Sequence, residues 1–527
     1  MKKSILCLIC CVVLAVCMTS CNFFEEMEMP DDYVESYPTP EQPVVVTPRE
    51  GGTLTIASTK YETLNPLKNN NYYMEEVLGL IYDGLVTLDS SMRVVPVLAE
   101  SLTPSADAKE WTVALRQNII WHDGKYFSSE DVIHTIGQIQ SDAQSKYAHC
   151  VSNVVSMEEV DAYTVLIKLQ NPDSFFGEKL FFPILPKHAN VDVMPVGTGL
   201  YKFAEISAKQ MTLTAHGLNA STQGKKTPYI STVEVEFYDN TTDVLYSDCD
   251  IVMVKSDDYE KISGKIGYST KKYVSTEYEV LAFNVKKGVL ADSAVRRAIA
   301  YAIDRDGAVD AFSKVEGAVT DVPVVPAAWI RFSSQLTYSH NVEQAVTLLE
   351  NAGYTTKQLT FSCLVNKENP LRVKYAEYFK KALEAVGITL NITAVPAEEL
   401  MQKLSEKNYD MALVGMNISQ IDDLDAYYGS AGSTNISGYA NDSLDALFAK
   451  ISGYIYENER KTIFAEIESI LLTDAPYVGL YYKQNFIFYN KSRVYGVGDI
   501  SPSYCKKFMN IESWFIVEDS TDGTNQD

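Results

Sequence analysis

The chain has 527 residues, with 69 acidic against 45 basic side chains and a formal charge of −24. So large an acidic excess argues against nucleic acid as a partner, because phosphate backbones require a clustered positive surface. An apolar fraction of 46% with 22% charged residues is that of an ordinary globular chain, long enough for two or three domains.

Lys2 and Lys3 precede an apolar run from Ile5 to Val16, and Met18-Thr19-Ser20 leads into Cys21. This is the layout of a secretory signal. Its apolar part is shorter than the roughly 20 residues that a spanning helix needs. The plain alternative is a signal peptide with an incidental cysteine. M-T-S-C resembles the bacterial lipobox, with Met18 where leucine is preferred. The expectation is therefore a lipoprotein signal over 1–20 and a diacylglycerol on Cys21, which becomes the N-terminus. Further acyl chains make such an anchor stable where one is marginal. Residues 21–50 follow as the anchored end and its tether. Acidic side chains from Glu25 to Glu50 and prolines from Pro30 to Pro48 cannot build a core, so an extended, disordered segment is predicted.

The body opens with Gly51-Gly52 and TLTIA, where Leu54 and Ile56 alternate with threonines as in a half-buried strand. WTVAL at 111–115 repeats that alternation, and HDGK at 122–125 reads as a turn. No internal repeat is visible. Residues 359–365 form an apolar strand; 371–386 place Val373, Ala376, Phe379, Leu383 and Val386 on one helical face, and Gly387 suits a left-handed cap. Strand 388–392, helix 397–406 and strand 409–415 complete an alternation that predicts a parallel sheet covered by helices. Ligands of such sheets sit beyond the carboxyl ends of the strands, which points to the segment starting near Gly415. Cys150, Cys249, Cys363 and Cys505 share no short spacing, so a local CxxC zinc site is excluded. One or two disulfides stay open, and the apolar surroundings favour buried free thiols.

Blocks in fixed order now carry a resemblance: GGTLTIA at 51–57, LNPL at 64–67, IYDGLVTL at 81–88, LAESL at 98–102, WTVALR at 111–116, WHDG at 121–124, SEDV at 129–132, GTGLYKF at 197–203, AFN at 282–284, VRRAIAYAIDR at 295–305 and GYANDSLDAL at 438–447. Together they resemble the extracytoplasmic solute-binding proteins of ABC importers that bind oligopeptides, dipeptides or nickel complexes. The resemblance implies an α/β fold: a two-lobed, periplasmic-binding-protein-like clamp with an extra inserted domain. Its divisions would be lobe I at 51–75, 191–290 and 495–527, an inserted domain II at 76–190, and lobe III at 291–494, with crossing segments near Gly288 and Tyr495. It implies an oligopeptide ligand held in a cleft between lobes that close around it, no cofactor, a monomer, and permease subunits in the membrane as partners. The place implied is the outer face of the cell membrane, held by lipid. The alternative is a lipoprotein binder or sensor for an oligosaccharide, a metal chelate or a signalling peptide.

The resemblance also nominates ligand contacts. Tyr72 and Tyr73 follow the Asn-Pro block; a surface turn is the plain alternative. Thr198 lies between Gly197 and Gly199, which backbone shape alone could require. Met416 and Asn417 lie in GMNISQIDDLD, where relatives carry tryptophan at the position of Met416 and aspartate at that of Ser419. Ser430, Asn435 and Tyr439 belong to the loop that meets the ligand's amino end in dipeptide binders, against the reading of a self-capped loop. No histidine pair has metal spacing, and the Asp422, Asp423 and Asp425 group fails as a calcium loop. Ser269-x-x-Lys272 with Tyr439-x-Asn441 fits two elements of a serine penicillin-recognising enzyme but lacks a following Lys-Thr-Gly strand, so no catalysis is expected.

Overall fold

A computed structural model describes residues 46–517, except 225, 313–316, 326–327, 332–336, 355–358, 419–422, 501–507 and 509. Cys21 and its surroundings, Ser419 and Cys505 lie outside the described residues. One sheet of eleven strands runs through the body. Its main strands are β1 (Thr53–Thr59), β2 (Tyr201–Ile206), β3 (Gln210–Ala215), β4 (Thr232–Tyr238), β5 (Ile251–Val254), β6 (Tyr268–Phe283), β7 (Leu359–Asn366), β8 (Ile388–Val395), β9 (Met411–Asn417) and β10 (Tyr477–Asn490). The spatial order is β8-β7-β9-β6-β10-β5-β1-β4-β3-β2, with a two-residue strand at Ala318–Val319 against β10.

The parallel part predicted for 359–415 is present: β7 pairs in parallel with both β8 and β9. The helix between β7 and β8 runs Pro370–Glu384, and Gly387 has φ +79°, the left-handed conformation that glycine takes without steric cost. WTVAL lies in strand Glu110–Leu115, with Trp111, Val113 and Leu115 buried. That strand belongs to a separate four-stranded antiparallel sheet.

Two hydrophobic cores share the large sheet. The first gathers β1, β5 and the four-stranded sheet with Tyr273, Phe486, Ile487 and Phe488. The second gathers β7 to β9 with Tyr278, Val280, Leu281, Leu480 and Tyr482. Strands β6 and β10 therefore pass from one core to the other, near 274–277 and 483–485. The ladder between them breaks register at Val274/Tyr278, as a bulge does where a strand must bend. The crossings implied by the resemblance were near Gly288 and Tyr495. Gly288 starts a short 3₁₀ turn beyond β6, and Tyr495 pairs with Phe515 in a two-stranded ribbon.

The VRRAIAYAIDR block owes its pattern to scaffolding. In helix Ser293–Ala302, Arg296 is 4% exposed and donates to the carbonyls of Leu290, Ala291, Asp474 and Ala475. Those of Asp474 and Ala475 end the helix Glu457–Asp474, where orphan carbonyls and the helix dipole favour a cation. Arg305 is as deeply placed, paired with Asp321 and bonded to the carbonyls of Gly479 and Tyr338.

Candidate functional site

The carboxyl ends of the parallel strands in both halves converge on the strand crossing. On the first-core side, Asn71 caps helix α1 (Tyr72–Ile81), accepting from the Tyr73 and Met74 amides. This holds Tyr72 at the helix start with its hydroxyl 2.6 Å from that of Tyr273 and the Lys255 ammonium 4.9 Å from its ring centre. Burial raises the Tyr72 pKa, and the Glu277 charge adds to the rise. Just after β5, the Ser256 amide donates to Asn485 Oδ1 at 3.0 Å.

On the second-core side, helix α2 (Pro370–Glu384) presents Arg372 in its first turn. Arg372 donates two hydrogen bonds to Glu279, at 2.8 and 2.9 Å, the fork geometry that makes such pairs strong. Between the sides stands Lys483, its side chain 8% exposed, at 3.0 Å from Glu277, 3.3 Å from Asp257 and 3.8 Å from Glu279. Burial alone would lower the Lys483 pKa, but the three carboxylates outweigh it and raise it. Glu279 is fully engaged and 5% exposed, whereas the Asp257 and Glu277 side chains remain 63% and 49% exposed. The floor of the crossing thus holds both signs of charge, with accessible carboxylate at Asp257 and Glu277.

The nominated residues fall into three places. Tyr72 and Asn417 are at the floor: Asn417 lies opposite Glu277 in the ladder and is exposed. Met416 lies away from the floor. Side chains alternate across a strand, so Met416 turns to the other face, opposite Tyr278, and is 3% exposed in the second core. Tyr73 and Thr198 are interior. Tyr73 belongs to the first core, where burial pushes its pKa up to about 12. Thr198 is 1% exposed and its hydroxyl donates to Asp83. The flanking glycines serve close approach: a Cβ on Gly197 would lie 1.9 Å from the Ile81 carbonyl oxygen.

Ser430, Asn435 and Tyr439 sit elsewhere. Their loop is tied to the far end of β6, where the Val285 amide donates to the Ser437 carbonyl. That is eight residues beyond Glu277, roughly 25 Å of extended strand. Asn435 donates to the Gly429 and Tyr439 carbonyls and accepts from Ser437 and Gly438. The Tyr439 hydroxyl donates to Asp474 at 2.5 Å, and Ser430 receives the Asn441 amide. The polar groups of this loop thus bond to one another and to Asp474. The loop's distance along β6 also separates Tyr439 and Asn441 from Ser269 and Lys272, which are paired with β10 in the first half.

Lys255, Asp257, Glu277, Glu279, Arg372 and Lys483 were missed by sequence reasoning. One signal was available: Lys483-Gln484-Asn485 interrupts the apolar run of β10, whose residues from Tyr477 to Phe488 are all buried.

The body is thus a two-core α/β structure with a charged floor where strands cross between the cores. Residues 93–438 match the middle region of the bacterial extracellular solute-binding proteins, family 5, and the chain belongs to that family, which serves ABC transport. It is similar to the oligopeptide-binding protein AppA of Bacillus subtilis, at 23% identity over 83% of this chain and 87% of the relative. Heme-binding protein A of Haemophilus influenzae is 24% identical over 77% of this chain and 82% of its own. The crystal structure of the ABC transporter substrate-binding protein CtaP from Listeria monocytogenes shares the fold, with a TM-score of 0.73 at 22% identity, covering 89% of this chain and all of that one. Among the described residues no helix is long and apolar enough to cross a membrane.

Proposed function

We propose that this chain is the membrane-anchored, extracytoplasmic receptor of an ABC importer and captures a short peptide at the strand crossing. The observation that carries the reading is the mixed-charge floor. Accessible carboxylates at Asp257 and Glu277 suit an ammonium group; Lys255 suits a carboxylate; and Tyr72 and Asn417 offer hydrogen bonds beside them. A peptide has these groups at its ends and along its backbone. The lobes joined at 274–277 and 483–485 close on the solute because it contacts both and so has a higher affinity for the closed state. Cys21 carries the lipid, which raises the receptor's effective concentration beside its permease. The similarity to AppA supports the peptide; the similarity to heme-binding protein A keeps a non-peptide solute as the second reading.

Native mass spectrometry of the mature chain, purified gently from cells grown in rich medium, tests this. A series of added masses matching short peptides is expected. A single non-peptide mass would replace the first reading by the second.

A further inference from the structure

The four-stranded sheet inserted in the first half is continuous with the first core, and the segments that flank it reach into the second. Phe175 and Met92, 1% and 4% exposed, pack among second-core residues. The Ser174 amide donates to the Ser452 carbonyl at 2.7 Å, and its hydroxyl donates to that of Ile451 at 3.0 Å. These carbonyls end helix α3 (Asp442–Ile451), so Ser174, through its amide and its hydroxyl, satisfies groups that the helix itself leaves open.

The next helix, α4 (Glu457–Asp474), contributes Arg460. Its guanidinium lies 4.8 Å from the Phe175 ring centre and 4.6 Å from that of Trp329. It also donates to the Ser174 carbonyl at 3.2 Å and to Glu178 at 3.4 Å. At the rim, Arg93 makes a forked pair with Glu457 at 2.7 and 2.9 Å, and the Trp329 amide donates to the Ser91 carbonyl. Exposed ion pairs alone are weak and separate readily. Here a planar cation is held between two aromatic faces, and two apolar side chains are embedded in the opposite core.

We propose that Arg460 centres a permanent seam between the insert and the second core, so that the two halves are joined at two places and move by rotation about the line from this seam to the strand crossing. A latch that must break for the halves to move would make the opposite use of the same contacts. The mechanical half of this proposal needs no solute; its bearing on capture rests on the clamp reading above.

Hydrogen exchange of Arg460→Ala and Arg460→Lys tests the seam. Lysine keeps the charge but loses the planar sandwich. In Arg460→Ala, amides of 174–180 and 451–460 should exchange at least tenfold faster while β7 to β9 stay protected, with a smaller acceleration in Arg460→Lys. Unchanged protection of the seam would overturn the proposal, and Arg460→Lys decides alone if the alanine variant does not fold. Permanence is tested by a disulfide between Ser174→Cys and Ser452→Cys, confirmed by mass. Peptides retained from rich medium should be the same in oxidised and reduced forms. Loss on oxidation only would show a latch and overturn the pivot. Absence of solute in both forms would count against the clamp reading, leaving the exchange result to decide the seam.

Discussion

The polar triplet Lys483-Gln484-Asn485 and the loop at 429–441 are both rich in hydrogen-bonding groups, but their side chains are used differently. In the loop, Asn435 has both ends occupied by four partners and Tyr439 is fixed on Asp474. At the crossing, Lys483 is surrounded by carboxylates of which two stay half-exposed. A polar loop that satisfies itself needs no ligand. A charged floor with accessible carboxylate has capacity left for one.

The largest expected effect lies on the buried side of that floor. Arg372→Ala removes the forked partner of Glu279, and breaking a buried pair costs about 3–5 kcal/mol; urea unfolding would measure it. If the loss is below about 1 kcal/mol, the floor is not held by this pair.

The next effect concerns pH. The Gly197 amide donates to His122 Nδ1 at 3.3 Å, so Nε2 carries the proton and donates to the Gly199 carbonyl at 3.0 Å. Burial lowers the His122 pKa from 6.5 to about 4. The unfolded chain thus binds more protons between these values, and stability falls as pH drops from about 6.5 towards 4, by up to about 3 kcal/mol. His122→Gln should flatten that slope in denaturation curves taken across the window. An unchanged slope would assign the acid sensitivity to other groups.

Asn435→Ala sharpens the comparison from the loop's side. Leaving buried partners unsatisfied costs about 1–3 kcal/mol, and retention of solute should be unaffected. Glu277→Gln is the smallest in stability, below about 1 kcal/mol for a half-exposed pair, but it should weaken solute binding at least tenfold by calorimetry with the peptides recovered from the wild-type protein. A folded Glu277→Gln chain with wild-type affinity would remove Glu277 from the site.

Much of the scaffold was legible in the sequence because its signals are local. Strand alternation at WTVAL, the apolar face of 371–386 and Gly387 after it each depend on neighbours within a few residues. The two arginines of VRRAIAYAIDR were visible as a pattern, but their carbonyl partners near 474–479 lie about 180 residues away, so the pattern could not disclose a structural role. The charged floor was less legible for the same reason. Tyr72 and Asn417 reached the floor, while the pairing of Lys483 with Asp257 and Glu277 spans more than 200 residues. Met416 and Asn417 are adjacent in sequence but face opposite ways, and the pleat separates a core methionine from an exposed asparagine.

The most direct measurement compares Glu277→Gln with Asn435→Ala by native mass spectrometry, both purified from rich medium beside the wild type. If solute binds at the crossing, the peptide masses carried by the wild type persist in Asn435→Ala and disappear from Glu277→Gln. Masses that persist in Glu277→Gln and vanish from a folded Asn435→Ala would place the solute at the far loop and contradict the account.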